Sequence, residues 1–308
     1  MKDSRAMDGN AGCRARGSTG SVFLLLALFL MPCAQAQDAA TLRARHATLK
    51  DQLANNPFHQ PLVLESTQTG AAVKGDAYAV VPQPYSLVGQ ALQGIDHWCD
   101  ILILHLNVKG CHARGSAPGG MLSVAIGRKF DQPLQFAYPV ELAYRVAASG
   151  PDYLQVLLTA DSGPLGTKNY HIVLEAAPLD ASSSFLHLSY SYAYGVVTRL
   201  AMESYLATIA RDKVGFSIVA RKPDGTPVYV EGVRGVVERN TIRYYLAIEA
   251  FLGAYTLPVA EQPEKRLHDW FDAVERYPRQ LHELERDEYL SMKRREMARQ
   301  QAMAVKVR

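Results

Sequence analysis

The sequence lacks an apolar run long enough to cross a bilayer: Val22 to Met31 is unbroken for ten residues, and a spanning helix needs about 20. It also lacks strong charge, with a net +3 over 308 residues. Lys2, Arg5, Arg14 and Arg16 stand against Asp3 and Asp8 before Ala36, so about +1 remains beyond that point. Such a balance gives no electrostatic case for a nucleic-acid partner. Catalytic signatures are missing as well. There is no serine in a nucleophile elbow, no zinc-protease histidine pair and no linked pair of carboxylates. The segment Arg114-Gly115-Ser116-Ala117-Pro118-Gly119-Gly120 is rich in glycine. It has no lysine after its last glycine, as a phosphate loop would, and reads as a flexible connection. No internal repeat or low-complexity tract is present. What remains is ordinary globular composition, 48 % hydrophobic and 20 % charged, which excludes disorder along the whole length.

The apolar run follows Arg14 and Arg16 and is succeeded by Pro32, Cys33 and the small-residue pattern Ala34-Gln35-Ala36. Basic flank, short apolar stretch and small residues together predict an export signal cleaved after Ala36. Export places the mature chain in an oxidising, periplasmic compartment, and this argues independently against nucleic acid. The same pattern survives initiation at Met7.

Cys13 and Cys33 precede the expected cleavage point, leaving Cys99 and Cys111. In an oxidising compartment two cysteines pair. A bond needs Cα atoms within about 7 Å, whereas twelve extended residues would hold them about 40 Å apart, so the chain between them has to turn back. Leu87, Ala91, Ile95, Trp98, Leu102 and Leu106 recur at helical spacing. They predict a helix from Pro84 to about Leu106, bent near Gly94, with Asn107 to Gly110 reversing direction. The alternative is a zinc site or a thiol nucleophile built from His97, Cys99, His105, Cys111 and His112, although their spacing matches no common zinc motif.

Along the rest of the chain, Leu42, His46, Leu49 and Leu53 mark a short amphipathic helix over Ala39 to Leu53. Pro61 to Ser66 and Ala77 to Val81 read as strands, separated by a turn around Gly70 and Gly75. From Met121 to Gly195 the apolar period changes to two, around Leu122, Val140, Leu154, Tyr170 and Phe185 to Tyr194, with turn residues between. That pattern is an antiparallel meander. Beyond it, helices are expected at Val196 to Lys213 and at Val233 to Ala254, with a short strand over Gly215 to Ala220 and a turn at Lys222 to Gly225. A further apolar face at Leu267, Trp270, Phe271 and Val274 precedes Pro278. The basic run from Lys293 to Arg308 reads as a solvated helical tail, or as a contact for anionic lipid headgroups.

Gly75-Asp76-Ala77-Tyr78-Ala79-Val80 leading into Tyr85-Ser86-Leu87-Val88 suggests a known family. So do Gly163 to Thr167 followed by Tyr170 to Glu175, Phe185 to Gly195, and Arg239 to Leu246. Over about Leu62 to Tyr255 the chain resembles the START-like (SRPBCC) superfamily. The resemblance implies an α+β helix-grip fold, in which a curved antiparallel sheet wraps a long C-terminal helix around a cavity for lipids, sterols or aromatic small molecules. No catalytic residues, metal or cofactor carry over.

The expected organisation is therefore a signal at 1–36, a helix and linker at 37–60, a ligand-binding domain at 61–256 and a charged helical tail at 257–308. The expected partner is a hydrophobic small molecule or lipid. Tyr144, Tyr190, Tyr192 and Tyr194 are its candidate ligands, because a tyrosine ring packs while its hydroxyl orients a polar group. Glu141 and Arg145 are added from the same strand as Tyr144. The alternatives are an envelope hydrolase or cyclase using that cavity, and a scaffold acting through the C-terminal helix.

Overall fold

A computed structural model describes residues 31–195 and 213–307, with side chains for 38–195 and 213–302. The signal-like run before Met31 and the helix expected between Val196 and Lys213 lie outside the described residues, save Met31 and Lys213 themselves. Among the described residues no helix is long and apolar enough to cross a membrane.

The chain opens with α1 (Met31–Ala54), then a hairpin of β1 (Leu62–Thr69) and β2 (Ala72–Val81), and two short helices, α2 (Tyr85–Leu92) and α3 (Ile95–Leu102). Six consecutive strands follow: β3 (Val108–Ser116), β4 (Gly119–Ile126), β5 (Tyr138–Ser149), β6 (Leu154–Ser162), β7 (Thr167–Pro178) and β8 (Ser184–Tyr194). Each pairs antiparallel with the next, and β8 also pairs with β2. The result is one eight-stranded sheet in the order β1-β2-β8-β7-β6-β5-β4-β3. After a small hairpin of β9 (Ile218–Arg221) and β10 (Pro227–Tyr229) comes the long helix α4 (Gly232–Ala254). It lies on β1, β2 and β8, with α5 (Gln262–Glu275), α6 (Pro278–Leu281) and α7 (Arg286–Val307) behind it. This is an α+β helix-grip architecture, as the element order predicts.

Strict alternation gives the sheet two unlike faces. Leu186, Leu188, Tyr190, Tyr192 and Tyr194 of β8 join Ile172 and Leu174 of β7 and Val140, Leu142 and Tyr144 of β5 in the main core under α4. Phe185 and His187 point the other way. There Tyr78, Tyr153 and Phe185 receive Ala39, Leu42, Leu49 and Leu53 of α1 in a second, smaller core. Helix and sheet approach closely at Gly75 of β2, where an added Cβ would lie 2.3 Å from Thr241 Oγ1 of α4. Only glycine admits the helix there. The β1–β2 turn is thus made at Gly70, with φ +58°, and Gly75 is not the turn residue its composition suggests but a mid-strand contact.

Several boundaries differ from expectation. The helical stretch from Pro84 is two helices broken at Gly94, and it ends at Leu102, so that Leu104 and Leu106 enter the core from a turn. The glycine-rich 114–120 segment is the β3–β4 hairpin, in which Ser116 and Gly119 face each other and Gly115 takes φ +94°. The reversal brings Cys99 of α3 and Cys111 of β3 into a disulfide with Cα atoms 5.2 Å apart.

The basic run beginning at Lys293 is corrected most. Lys293 and Glu296 are 0 % exposed. Glu296 accepts from Lys109 Nζ at 3.0 Å and from Lys293 Nζ at 2.8 Å, and both ammonium groups also donate to backbone carbonyls of 105–108. Burial holds Lys293 down, to about 8, against the opposing pull of Glu296. Gln300 Oε1 receives the Cys111 N–H at 2.8 Å. Helix α7 therefore docks on the edge strand β3. Trp270, Phe271, Tyr277, Leu281, Tyr289 and Met292 belong to the same core as the sheet. Arg294, Arg295 and Arg299 do face outward, where they pair with Glu264 and Asp131.

Candidate functional site

The six candidate ligand-site residues separate onto two faces. Tyr144, Tyr190, Tyr192 and Tyr194 all point into the main core. Glu141 and Arg145 are odd-numbered neighbours of Tyr144 on β5, so the pleat turns them outward. Glu141 accepts from Arg114 and from Ser123, both at 2.9 Å, in solvent. Arg145 is exposed. Neither meets the tyrosines, and the hydrolase or cyclase reading loses the acid it placed beside them.

The tyrosines also divide by role. Tyr144 OH donates to Gln93 O at 2.6 Å and so ties β5 to the α2–α3 junction. Its phenol is pushed up to about 12 by burial. Tyr194 OH receives Gln68 Nε2 at 2.9 Å near the β1–β2 turn. Tyr190 and Tyr192 have richer surroundings. Tyr192 stacks on Tyr170 of β7 with centroids 5.4 Å apart and planes 19° apart. Tyr190 meets Tyr192 at 5.7 Å and Tyr244 of α4 at 5.4 Å. Tyr244 in turn stacks on His105 at 4.8 Å. Strand alternation puts two of these rings on one line, and the i, i+4 spacing of Asn240 and Tyr244 brings the helix's polar residues to the same place.

Burial drives the phenols of Tyr190, Tyr192 and Tyr244 upward, so they stay protonated and serve as neutral donors. His105 is 2 % exposed. Burial drives its pKa well below the ordinary value, and Arg243, Lys293 and Lys129 add to the effect. Its Nδ1 accepts the Asn107 N–H at 3.1 Å, which puts the ring proton on Nε2. The Asn240 side chain hydrogen-bonds His105, where it opposes the downward shift, and Tyr190, where it opposes the upward one. Asn240 and Tyr244 nevertheless keep accessible surface, although the rings they touch are buried.

A set of charges borders the cluster. Glu283 accepts from Lys129 at 2.5 Å and from Arg243 at 2.8 Å. Burial would raise Glu283, but Arg243 and Lys129 outweigh it and hold the carboxyl below its usual range. Lys129 falls to about 8, first through burial and then through Arg243.

His97, weighed as a metal ligand or base, instead hydrogen-bonds Ala91 O at 2.7 Å. Among the described residues no group of three His, Cys, Asp or Glu side chains could hold a metal ion. Two depressions among the described residues lie on the surface. One, of about 580 Å³, lies at Leu53–Pro61, and one of about 430 Å³ lies beside Asp131–Leu134 and Arg299. Neither has the chemistry of the tyrosine cluster.

No family model and no curated protein matches this chain. Among solved structures, norcoclaurine synthase from Thalictrum flavum is similar at 13 % identity and TM-score 0.33, over 48 % of this chain and 82 % of that one. The protein Ara h 8.0201 is similar at 13 % identity and TM-score 0.35, over 59 % and 99 %. The Zhui aromatase/cyclase from Streptomyces sp. R1128 is similar at 10 % identity and TM-score 0.31, over 67 % and 95 %. At these scores the likenesses say nothing of activity, and the fold assignment above rests on strand order and the position of α4.

Proposed function

We propose that this helix-grip chain binds a hydrophobic small molecule between the inner face of its sheet and α4, and that it does so after export. The observation that carries the reading is the cluster of Tyr170, Tyr190, Tyr192, Tyr244, Asn240 and His105. Aromatic walls join a few convergent donors there, as small-molecule sites do, and Asn240 and Tyr244 keep accessible surface at that depth. Export is supported by the Val22–Met31 run with Ala34-Gln35-Ala36, and by a disulfide that an oxidising compartment would maintain.

The test is uptake by protein stripped of extractable ligand. A fluorescent apolar probe should bind with saturation, and Asn240→Trp, which sets a bulky ring between helix and sheet, should weaken it at least tenfold. No uptake, together with an organic extract of the native protein that contains no stoichiometric compound, would remove the reading. N-terminal sequencing of fractionated protein checks the address: a chain beginning at Gln37 supports export, and a cytosolic chain retaining residues 1–36 overturns it.

A further inference from the structure

The β4–β5 loop, residues 127–137, reverses the usual division between polar and apolar side chains. Its polar groups are turned onto the protein. Asn107 Nδ2 donates to Gly127 O at 2.6 Å, and Gln132 Oε1 accepts the Arg128 N–H at 2.9 Å. Lys129 pairs with Glu283, and Asp131 with Arg295 and Arg299. The rings are turned out: Phe130 is 53 % exposed, and Phe136, held on a short helical turn over Leu134–Phe136, is 72 % exposed. Tyr138, at the start of β5, is exposed as well.

The β6–β7 loop adds a fourth apolar group. Pairing of Ala143 with Thr159 puts the start of β5 and the end of β6 at one end of the sheet. There Leu165 is 75 % exposed with φ +58°, a left-handed conformation that a leucine adopts only at a cost and glycine adopts freely. A single exposed apolar residue needs no explanation, but a group of them on adjoining loops, one held under strain, marks a contact surface.

The surroundings narrow what it contacts. Arg128 lies over the Phe130 ring at 5.6 Å. Lys168, Arg295 and Arg299 border the same loops, against the carboxylates of Asp131 and Asp161. This basic margin suits an anionic surface. The apolar groups are few and line neither surface depression, whereas a stable protein partner would engage about 20–30 residues on each side. A lipid headgroup layer asks for no matching contour: aromatic rings settle at its depth while cations meet the phosphates.

We propose that this end of the sheet docks the protein on an anionic phospholipid bilayer, with Phe130, Phe136, Tyr138 and Leu165 in the headgroup layer and Arg128 against phosphate. The proposal is independent of the cavity reading. It also differs from a contact through the basic C-terminal run, whose first turn at Lys293 and Glu296 is buried against β3. Because the loop's polar groups are already bonded within the protein, docking orders little and loses little conformational entropy.

The experiment floats the full chain with vesicles of phosphatidylcholine, with and without phosphatidylglycerol. Partition onto the anionic vesicles should be about fivefold or more the stronger, and added salt should reduce it. Phe130→Ser combined with Phe136→Ser should lower partition by about tenfold or more. Arg128→Gln should lower it about fivefold on anionic vesicles only. Leu165→Gly should lower it about threefold without loss of thermal stability, since the left-handed turn suits glycine. Val259→Ser, at an exposed apolar residue outside these loops, should change nothing. Every variant keeps the Val22–Met31 run, so differences among them report the loops. Equal partition of wild type and the double phenylalanine variant, or equal partition onto anionic and neutral vesicles, overturns the proposal. So does a wild-type dimer in sedimentation that the same two substitutions dissociate, because a second copy would then cover the patch.

Discussion

Two histidines on opposite sides of one sheet are treated in opposite ways. His187, on the outer face under α1, has both nitrogens engaged: Nδ1 with Glu175 at 2.6 Å and Nε2 with Asp76 at 2.8 Å. Tyr78 stacks on its ring at 4.4 Å, and Tyr153 donates to Glu175. Burial opposes the charged ring, but the two carboxylates outweigh it and raise its pKa. His105, on the inner side, has neutral partners only, the Asn107 N–H on Nδ1 and the Asn240 side chain, and burial and nearby cations drive its pKa down. The outer network is complete in itself and needs nothing from outside, as a structural polar cluster should. The inner one sets no carboxylate against its ring, so it keeps His105 neutral where the outer one favours the charged form of His187.

The contrast between carboxylate-paired and neutral polar clusters can be pressed hardest at Glu296. Glu296→Leu would strand two fully buried ammonium groups, and the expected loss is about 3–5 kcal/mol, read as a fall in the urea midpoint. If that loss is smaller than for His105→Phe, pairing with a carboxylate is not what stabilises these clusters. Next comes His187→Phe, which leaves Asp76 and Glu175 without their bridge and should cost about 2–3 kcal/mol. His105→Phe gives up two neutral hydrogen bonds, to Asn107 and to Asn240, and should cost about 1–2 kcal/mol. Thermal unfolding of the two variants side by side measures the gap.

Acidity sharpens the contrast further, because the two shifts have opposite signs. His187 has a folded pKa above its unfolded value near 6.5, so its stabilisation is complete below that pH and fades as pH rises through the folded value. His105 has a folded pKa below 6.5, so its contribution is complete above that pH and is lost on acidification toward the folded value. His187→Gln should therefore abolish a decline in stability between pH 6.5 and 8, while His105→Gln should lessen one between pH 6.5 and 5. Urea midpoints at the three pH values report both. The smallest effect belongs to Glu141→Gln. Its exposed contacts with Arg114 and Ser123 predict a stability change within about 0.5 kcal/mol and unaltered probe uptake, whereas a tenfold loss of uptake would put Glu141 back in the site.

The parts legible from sequence are those whose signal is local. Alternation around Leu122, Val140, Leu154, Tyr170 and Phe185 marks five strands of the meander, and the period of Val237, Ile242, Tyr245 and Ile248 marks α4 nearly to the residue. The Cys99–Cys111 pairing followed from the expected export and the cysteine count, and the reversal between them from the pairing. What escaped depends on distant partners. Lys293 and Glu296 look solvent-bound until Lys109, more than 180 residues earlier, is placed beside them. The β3–β4 hairpin is hidden because Arg114, Gly115 and Ser116 lie on an edge and carry no apolar alternation. In the site, the three interior tyrosines of β8 were visible from their period of two. Glu141 and Arg145 were misplaced by a single step of the same pleat. Asn240 and Tyr244 gave a faint signal, a polar residue and a ring one turn apart on an apolar helix. No sequence spacing joins them to His105.

The docking of α7 on β3 also sets an order of events. Strand β3 is an open edge, and unpaired edges invite foreign strands. Its cover, the stretch from Tyr289 to Gln300, is synthesised more than 170 residues after it. Until that stretch arrives, the buried positions of Lys109 and Leu104 have no lid, and the sheet cannot reach its final form. A chain shortened before Tyr289 would expose a sticky margin in place of a finished surface, so aggregation, rather than a trimmed but competent protein, is the outcome such a truncation should give.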